Sequence, residues 1–288
     1  MTVIGVFCAR VRVEEKQIIG AFGDAGVVAM PVLPANSPMP PGPTTRPAPP
    51  ATSDGLLDIN DQTLTTVIDR CANRYVAAAT VPLLQARGIS VVSSGLAATG
   101  SRLDVAAALE RAGIARPSTL LAFTEESANQ AVRQIGVPAA LFSLNSGKSW
   151  TPMQDLDTAD AVVEHRMVLG GDAHAVVLVQ AGAPTAADIT TIHLVAGKAI
   201  ACDGELPDAA MVALAVSAAN VLEATLVSVQ LATISGRLVV WDVLPAADFR
   251  SSRLLGPVTM AEAIVASVLG VSNDVEVRRG VNGISLNS

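Results

Sequence analysis

Gly147-Lys148-Ser149, followed at once by Trp150, is the stretch whose residue types point most directly to chemistry. It is a polar, glycine-bearing turn between two apolar runs, Ala139 to Leu144 and Ser149 to Gln154. Such a turn offers backbone N–H groups and one ammonium to an anion, which is how a loop cradles phosphate. A Walker A loop needs a further glycine five residues before Gly147, and Phe142 stands there, so the string reads as a polar turn and not as a P-loop.

Asp242, with Asp248 and Arg250 nearby in sequence, reads either as the remnant of a metal site or as an ordinary ion-pair cluster, and an exposed pair is the simpler reading. His165, His174 and His193 show no H-x-x-x-H or paired His/Cys spacing, so no zinc site is expected. Cys8 sits beside Arg10 and Arg12, which would favour a thiolate, but at a strand end a small buried thiol is the better expectation. Ser94-Gly95 and Ser235-Gly236 lie outside any G-x-S-x-G frame and read as turns.

The composition narrows the classes. Of 288 residues half are apolar, 16% are charged and only 3% are aromatic, so the cores must be built from Ala, Val, Leu and Ile. A net charge of −7 argues against a nucleic-acid binder, whose phosphate contacts need a basic face. Lysines are scarce: Lys16, Lys148 and Lys198 are the only three. Three dispersed cysteines without a CxxC pair, and an N-terminal apolar run too short for a signal segment, lead to the expectation of a reducing, cytoplasmic setting. The longest apolar stretch, Ala209 to Ala224, is broken by Ser217, Asn220 and Glu223 and reads as a buried or interface helix, not a membrane span.

The elements that must position these residues follow from periodicity and breakers. Val3 to Cys8 and Glu14 to Ala25 make a βα start, Gly26 stops the helix, and VVAMPVL reads as a second strand. Residues 31–50 hold nine prolines and predict an extended loop. Short strands are expected at Leu56 to Ile59 and Leu64 to Asp69, then a helix from Tyr75 to Arg87 that tolerates Pro82 and stops at Gly88, then the strand ISVVSS. Helices are expected at Arg102 to Ala112, Glu125 to Ile135, Thr158 to Met167, Pro207 to Ala224 and Thr259 to Leu269. Between them come strands at TLLAF, HAVVLVQA, DITTIHLVAG, KAIACD, LVSVQLATI and RLVVWDVL, with hairpins at Ala196-Gly197 and Ser235-Gly236.

This order, with several local strings, resembles the ATP-grasp superfamily and within it the RimK/LysX-like carboxylate-amine ligases, which join an amino-acid amine to a glutamate of a LysW-type carrier protein. The strings that carry the resemblance are VIGVFCARVRVEEK, the run from ARGISVVSS to TLLAFTEESA, VVEHRMVLGG, and RLVVWDVLPAADFRSS. It spans residues 3 to about 270. The fold it implies is α+β with an α/β N-terminal unit: a parallel α/β domain at 1–95, a central lid at 96–183, and an antiparallel sheet with helices at 184–288.

Residue by residue, the family's functional groups are mostly replaced. The family's phosphate lysine on the GDK helix corresponds to Arg102, and the lysine of its V-V-L-K-P strand to Phe142, which has no donor to offer. Gly147 and Lys148 stand in the G-S-W-G-R loop out of register, with Lys148 a candidate replacement cation. Gln180 and Ala181 occupy the hinge, where the family has an acid after its glutamine. Ala187 and Thr190 replace the two arginines of R-D-I-R, Gln230 replaces one magnesium carboxylate, and Leu244 replaces the metal asparagine, leaving Asp242 as the anion at that position. The family's acceptor-holding segment is missing between KAIACD and PDAAMV.

Phosphoryl transfer is almost wholly positioning and electrostatic stabilisation, so these losses imply a protein that no longer ligates. Its residual nucleotide cleft would be formed by Arg102, Lys148, Gly147 and Gln180, with no cofactor. It would act as a homo- or hetero-oligomer with a ligase-family subunit, or with an acidic carrier protein. Two alternatives stand beside this: a working ligase using ATP and magnesium through Arg102, Lys148 and Asp242, and a small-molecule binding module using the old cleft.

Overall fold

A computed structural model of the protein describes residues 3–33, 64–93, 95, 101–144, 150–167, 176–246 and 248–270. The expected proline-rich loop beyond residue 33, the strand expected at Leu56 to Ile59, Gly147 and Lys148 with the rest of the turn 145–149, His174, and the tail after Gly270 lie outside the described residues.

Three sheets occupy successive stretches of chain. The first is parallel, in the order β2-β1-β3-β4, with β1 Val3–Phe7, β2 Val28–Val32, β3 Leu64–Asp69 and β4 Ser90–Val92. β1 is central and buried along nearly all its length, as an unbroken β-branched run should be when helices cover both faces. Gly5 is required there, since a Cβ would lie 2.9 Å from Val32 Cγ2 and 3.0 Å from Leu64 Cδ1. The helices α1 (Val13–Asp24) and α2 (Arg74–Ala86) make the crossovers, α2 being capped by the Asn73 side chain and carrying Pro82 within it.

The second sheet is antiparallel, in the order β5-β8-β6-β7: β5 Thr119–Ala122, β6 Ala139–Ser143, β7 Trp150–Met153 and β8 Val177–Ala181. Between β4 and β5 lies α3 (Arg102–Arg111), and α4 (Glu125–Ile135) and α5 (Leu156–Met167) cover one face of this sheet. Period-two alternation divides its side chains. Ala139, Leu141, Val177 and Val179 pack against α4 and α5, while Ala140, Phe142 and Leu178 face the third sheet.

That third sheet runs β12-β11-β9-β10-β13, with β9 Thr190–Val195, β10 Lys198–Asp203, β11 Leu226–Ile234, β12 Arg237–Leu244 and a two-residue β13, Arg253–Leu254, which periodicity does not predict. The helix α6 (Ala209–Val221) packs on one face, joined by α3 through Leu109 and Val105. On the other side α7 (Met260–Leu269) packs with Ile18 and Phe22 of α1, so the C-terminal and N-terminal units share one core. Small alanines on α6 (Ala215, Ala218, Ala219) are fully buried, which is how a chain poor in aromatics brings helix and sheet close.

A β-bulge fixes the site. Gln230 pairs with Asp242 but Leu231 pairs with Val240, so Trp241 is an extra residue on β12. Val240 and Val243 both enter the α6 core, leaving Trp241 in the cluster that faces the lid sheet and Asp242 available to α3.

Candidate functional site: a cleft closed by its own residues

Arg102 is the first residue of α3, immediately after the cap residue Ser101. The Ser101 hydroxyl and Asp104 form a reciprocal capping box, which sets the direction in which the Arg102 stem leaves the helix. Its guanidinium reaches Asp242 on β12 in a two-point pairing, Nη2 to Oδ2 at 2.7 Å and Nε to Oδ1 at 3.3 Å. Nη1 donates to the Ser143 carbonyl at 3.2 Å, and the guanidinium carbon lies 4.9 Å from the centre of the Phe142 ring. The two side chains are 13% and 9% exposed, so the pair is shielded from solvent unlike a surface ion pair.

Phe142, Trp150 and Trp241 fill the space between the lid sheet and the third sheet. The ring centres are 6.1 Å apart for Phe142 and Trp150, 5.6 Å for Phe142 and Trp241, and 5.3 Å for the two tryptophans, which meet edge to face. The amide of Gln180 is held at both ends: Nε2 donates to the Trp241 carbonyl at 3.2 Å and Oε1 accepts from Thr119 at 3.3 Å. What remains beneath the aromatic cluster is a cavity of about 60 Å³ lined by Arg74, Arg102, Arg116, Gln180, Trp241 and Asp242 among others. Pockets for drug-sized ligands run to about 300–1,000 Å³.

Gln230 and Asp242 face each other across adjacent strands, as two metal carboxylates would, but Gln230 donates to Thr191 at 3.4 Å and Asp242 is taken by Arg102. Thr190 and Phe142 are buried. Between Asp203 of β10 and Ala209 of α6 only residues 204–208 intervene, so no acceptor segment is inserted there. Among the described residues no group of three His, Cys, Asp or Glu side chains is placed to hold a metal ion. Among the described residues, the cleft carboxylate is paired internally, its cross-strand partner is an amide, and three aromatic rings lie together between the two sheets.

Asp248 pairs with Arg250 through Nε at 3.0 Å and is separate from the Arg102–Asp242 pair, so the two aspartates that seemed groupable by sequence do different jobs. Cys8 is buried, and burial first, then the Glu15 charge, pushes its thiol up to about 11, against the thiolate that neighbouring arginines suggested. His193 lies inside the third sheet with Nδ1 2.6 Å from the Ser228 hydroxyl and Nε2 2.9 Å from Asp203. Although the three types match a hydrolytic triad, the ring and Ser228 are almost completely buried, and the arrangement is a satisfied core histidine. His165 is exposed on α5.

Sequence reasoning passed over the arginines that follow β3. Arg70 is wholly buried and forks onto Glu15 of α1 at 3.1 and 3.0 Å, while Arg74 opens α2. A signal existed: both follow the carboxyl end of a strand in a parallel sheet, the side on which open α/β sheets gather ligands. Trp241 was passed over too, because its exposure to the cleft depends on the bulge.

No protein-family model matches the sequence. Solved structures do match. A RimK-domain ATP-grasp protein from Sphaerobacter thermophilus superposes with a TM-score of 0.70 at 26% identity, over 93% of this chain and 100% of that one. The D-alanyl-alanine synthetase A of Vibrio cholerae gives 0.64 at 12% identity, over 94% and 98%. The ATP-grasp ligase PsnB, solved with a minimal precursor, gives 0.63 at 13% identity, over 94% and 99%.

The chain has the ATP-grasp fold, a mixed α+β architecture of parallel and antiparallel sheets. Within that superfamily its likeness is to the RimK-like proteins. Among the described residues no helix is long and apolar enough to cross a membrane.

Proposed function

We propose that this ATP-grasp chain no longer ligates and acts by binding, as a non-catalytic subunit or partner of an active ligase or of an amino-acid carrier protein. The observation that carries the reading is the pairing of Arg102 with Asp242 beneath the Phe142 ring. In a working phosphoryl-transfer site the cation faces phosphate oxygens and the carboxylate faces the metal. Here each is satisfied by the other, and binding nucleotide with magnesium would first require breaking a shielded ion pair and opening an aromatic cluster. The short connection between β10 and α6 supports the same reading from the acceptor side.

Calorimetry of the full chain with ATP and magnesium tests it: no saturable heat is expected, and micromolar binding would restore the ligase reading through Arg102, Lys148 and Asp242. Co-purification from the native cells, with the captured chain identified as a ligase subunit or carrier protein, tests the partner half.

The small cavity below the aromatic cluster supports a second reading, that the old cleft holds a small molecule without processing it.

A further inference from the structure

Two residues that line the cavity carry buried donors left unmet among the described residues. Arg74 is 8% exposed, and neither Nη1 nor Nη2 has a hydrogen-bond partner among the described residues. Its nearest countercharge, Asp69, lies at 3.8 Å, close enough to attract and too far to accept a hydrogen bond. The indole Nε1 of Trp241 is likewise buried without an acceptor among the described residues. Both residues line the same space of about 60 Å³.

The other cations there are already matched. Arg102 is held by Asp242, and Arg116 is paired with Glu110. A buried guanidinium without hydrogen-bond acceptors is costly, more so than a neutral donor. Native structures leave few such groups, and two around one cavity mark a place for something the protein itself does not supply.

We propose that this cavity binds a small carboxylate, with the carboxylate group on Arg74 and the Trp241 N–H, and a short aliphatic body against Val105, Leu109 and Leu178. Both unmet groups are donors, so the ligand must bring acceptors, and a guanidinium fork matches a carboxylate. The apolar lining favours a hydrocarbon body over a fully hydrated inorganic anion. With about 10–15 Å³ needed for each water-sized occupant, the space holds a molecule of a few heavy atoms and no nucleotide. The site belongs to this chain's own substitutions, since Trp241 occurs where the resembled pattern has asparagine. It stands whether or not the chain ligates, because no nucleotide takes part.

Thermal unfolding and calorimetry of the full chain with sodium propionate, with sodium phosphate and chloride matched in ionic strength, test the proposal. Propionate is expected to give saturable stabilisation and the other salts none. Trp241→Phe keeps the ring and removes only the N–H, and it should weaken propionate about fivefold. Arg74→Gln should weaken it about tenfold or more. Arg74→Gln also removes the countercharge of buried Asp69, so Trp241→Phe gives an independent reading if that variant does not fold. Absence of saturable binding, or binding unaltered in both variants, would overturn the site. Stabilisation by phosphate with propionate silent would overturn the carboxylate assignment. ATP with magnesium, by contrast, bears only on the loss of ligation.

Discussion

Arg102 and Asp242, 140 residues apart in sequence, meet at 2.7 Å across the cleft between α3 and β12. The cation and the carboxylate that the resemblance assigns to this cleft, Arg102 and Asp242, are paired with each other. Breaking a shielded pair from one side strands the other charge, at a cost of about 3–5 kcal/mol, whereas replacing both by apolar groups is close to neutral. Asp242→Asn is therefore expected to destabilise by about 3 kcal/mol. The double variant Arg102→Met with Asp242→Leu should recover most of that in urea unfolding. Additive losses would show that the pair holds nothing together.

The Arg70–Glu15 pair is buried more deeply, at 1% and 0% side-chain exposure. Burial raises the Glu15 carboxyl, but hydrogen bonds from Arg12 and the Arg70 charge outweigh it, and the net shift is downward. Glu15→Gln should cost about 3–5 kcal/mol in equilibrium unfolding. A loss of less than about 1 kcal/mol, the worth of an exposed pair, would place this contact among the dispensable ones.

His193 supplies the pH dependence. Burial lowers its pKa, and the Asp203 hydrogen bond only partly offsets this. The unfolded chain then takes up a proton just below its ordinary value of about 6.5 while the folded chain does not, so stability should be full above that pH and decline as pH falls through the window beneath it. Comparing urea midpoints from pH 7.5 down to 5.5 for the wild type and His193→Gln tests this, and the variant's slope should be shallower. Equal slopes would assign the decline to other groups.

Cys8 and Cys71 are both buried and free, and burial is the largest cause raising each thiol to about 11. Neither should react with iodoacetamide at neutral pH in the folded state, and both should react once the chain is unfolded. Rapid modification of the native protein would contradict their burial.

Much of the architecture is readable from the amino acids because the cues are local. Glycine stops and capping residues bound Glu125–Ile135, and β-branched runs around Ser235-Gly236 delimit Leu226–Ile234 and Arg237–Leu244. Lys198–Asp203 is likewise marked by the turn before it. The site is less readable. Substitutions at Phe142, Gln230 and Leu244 are visible in sequence, but the partner that Asp242 takes instead lies on a helix 140 residues away. The bulge at Trp241 shifts the β12 register, and nothing in the alternation of RLVVWDVL announces it. Arg74 looks like an ordinary helix-start arginine until its lack of a hydrogen-bond partner among the described residues is seen.

Titration of the full chain with ATP and magnesium measures most directly whether the cleft is closed on itself. No saturable heat and no change in melting temperature are expected. Micromolar binding that Asp242→Asn abolishes would contradict it, because Asp242 would then be serving a metal in preference to Arg102.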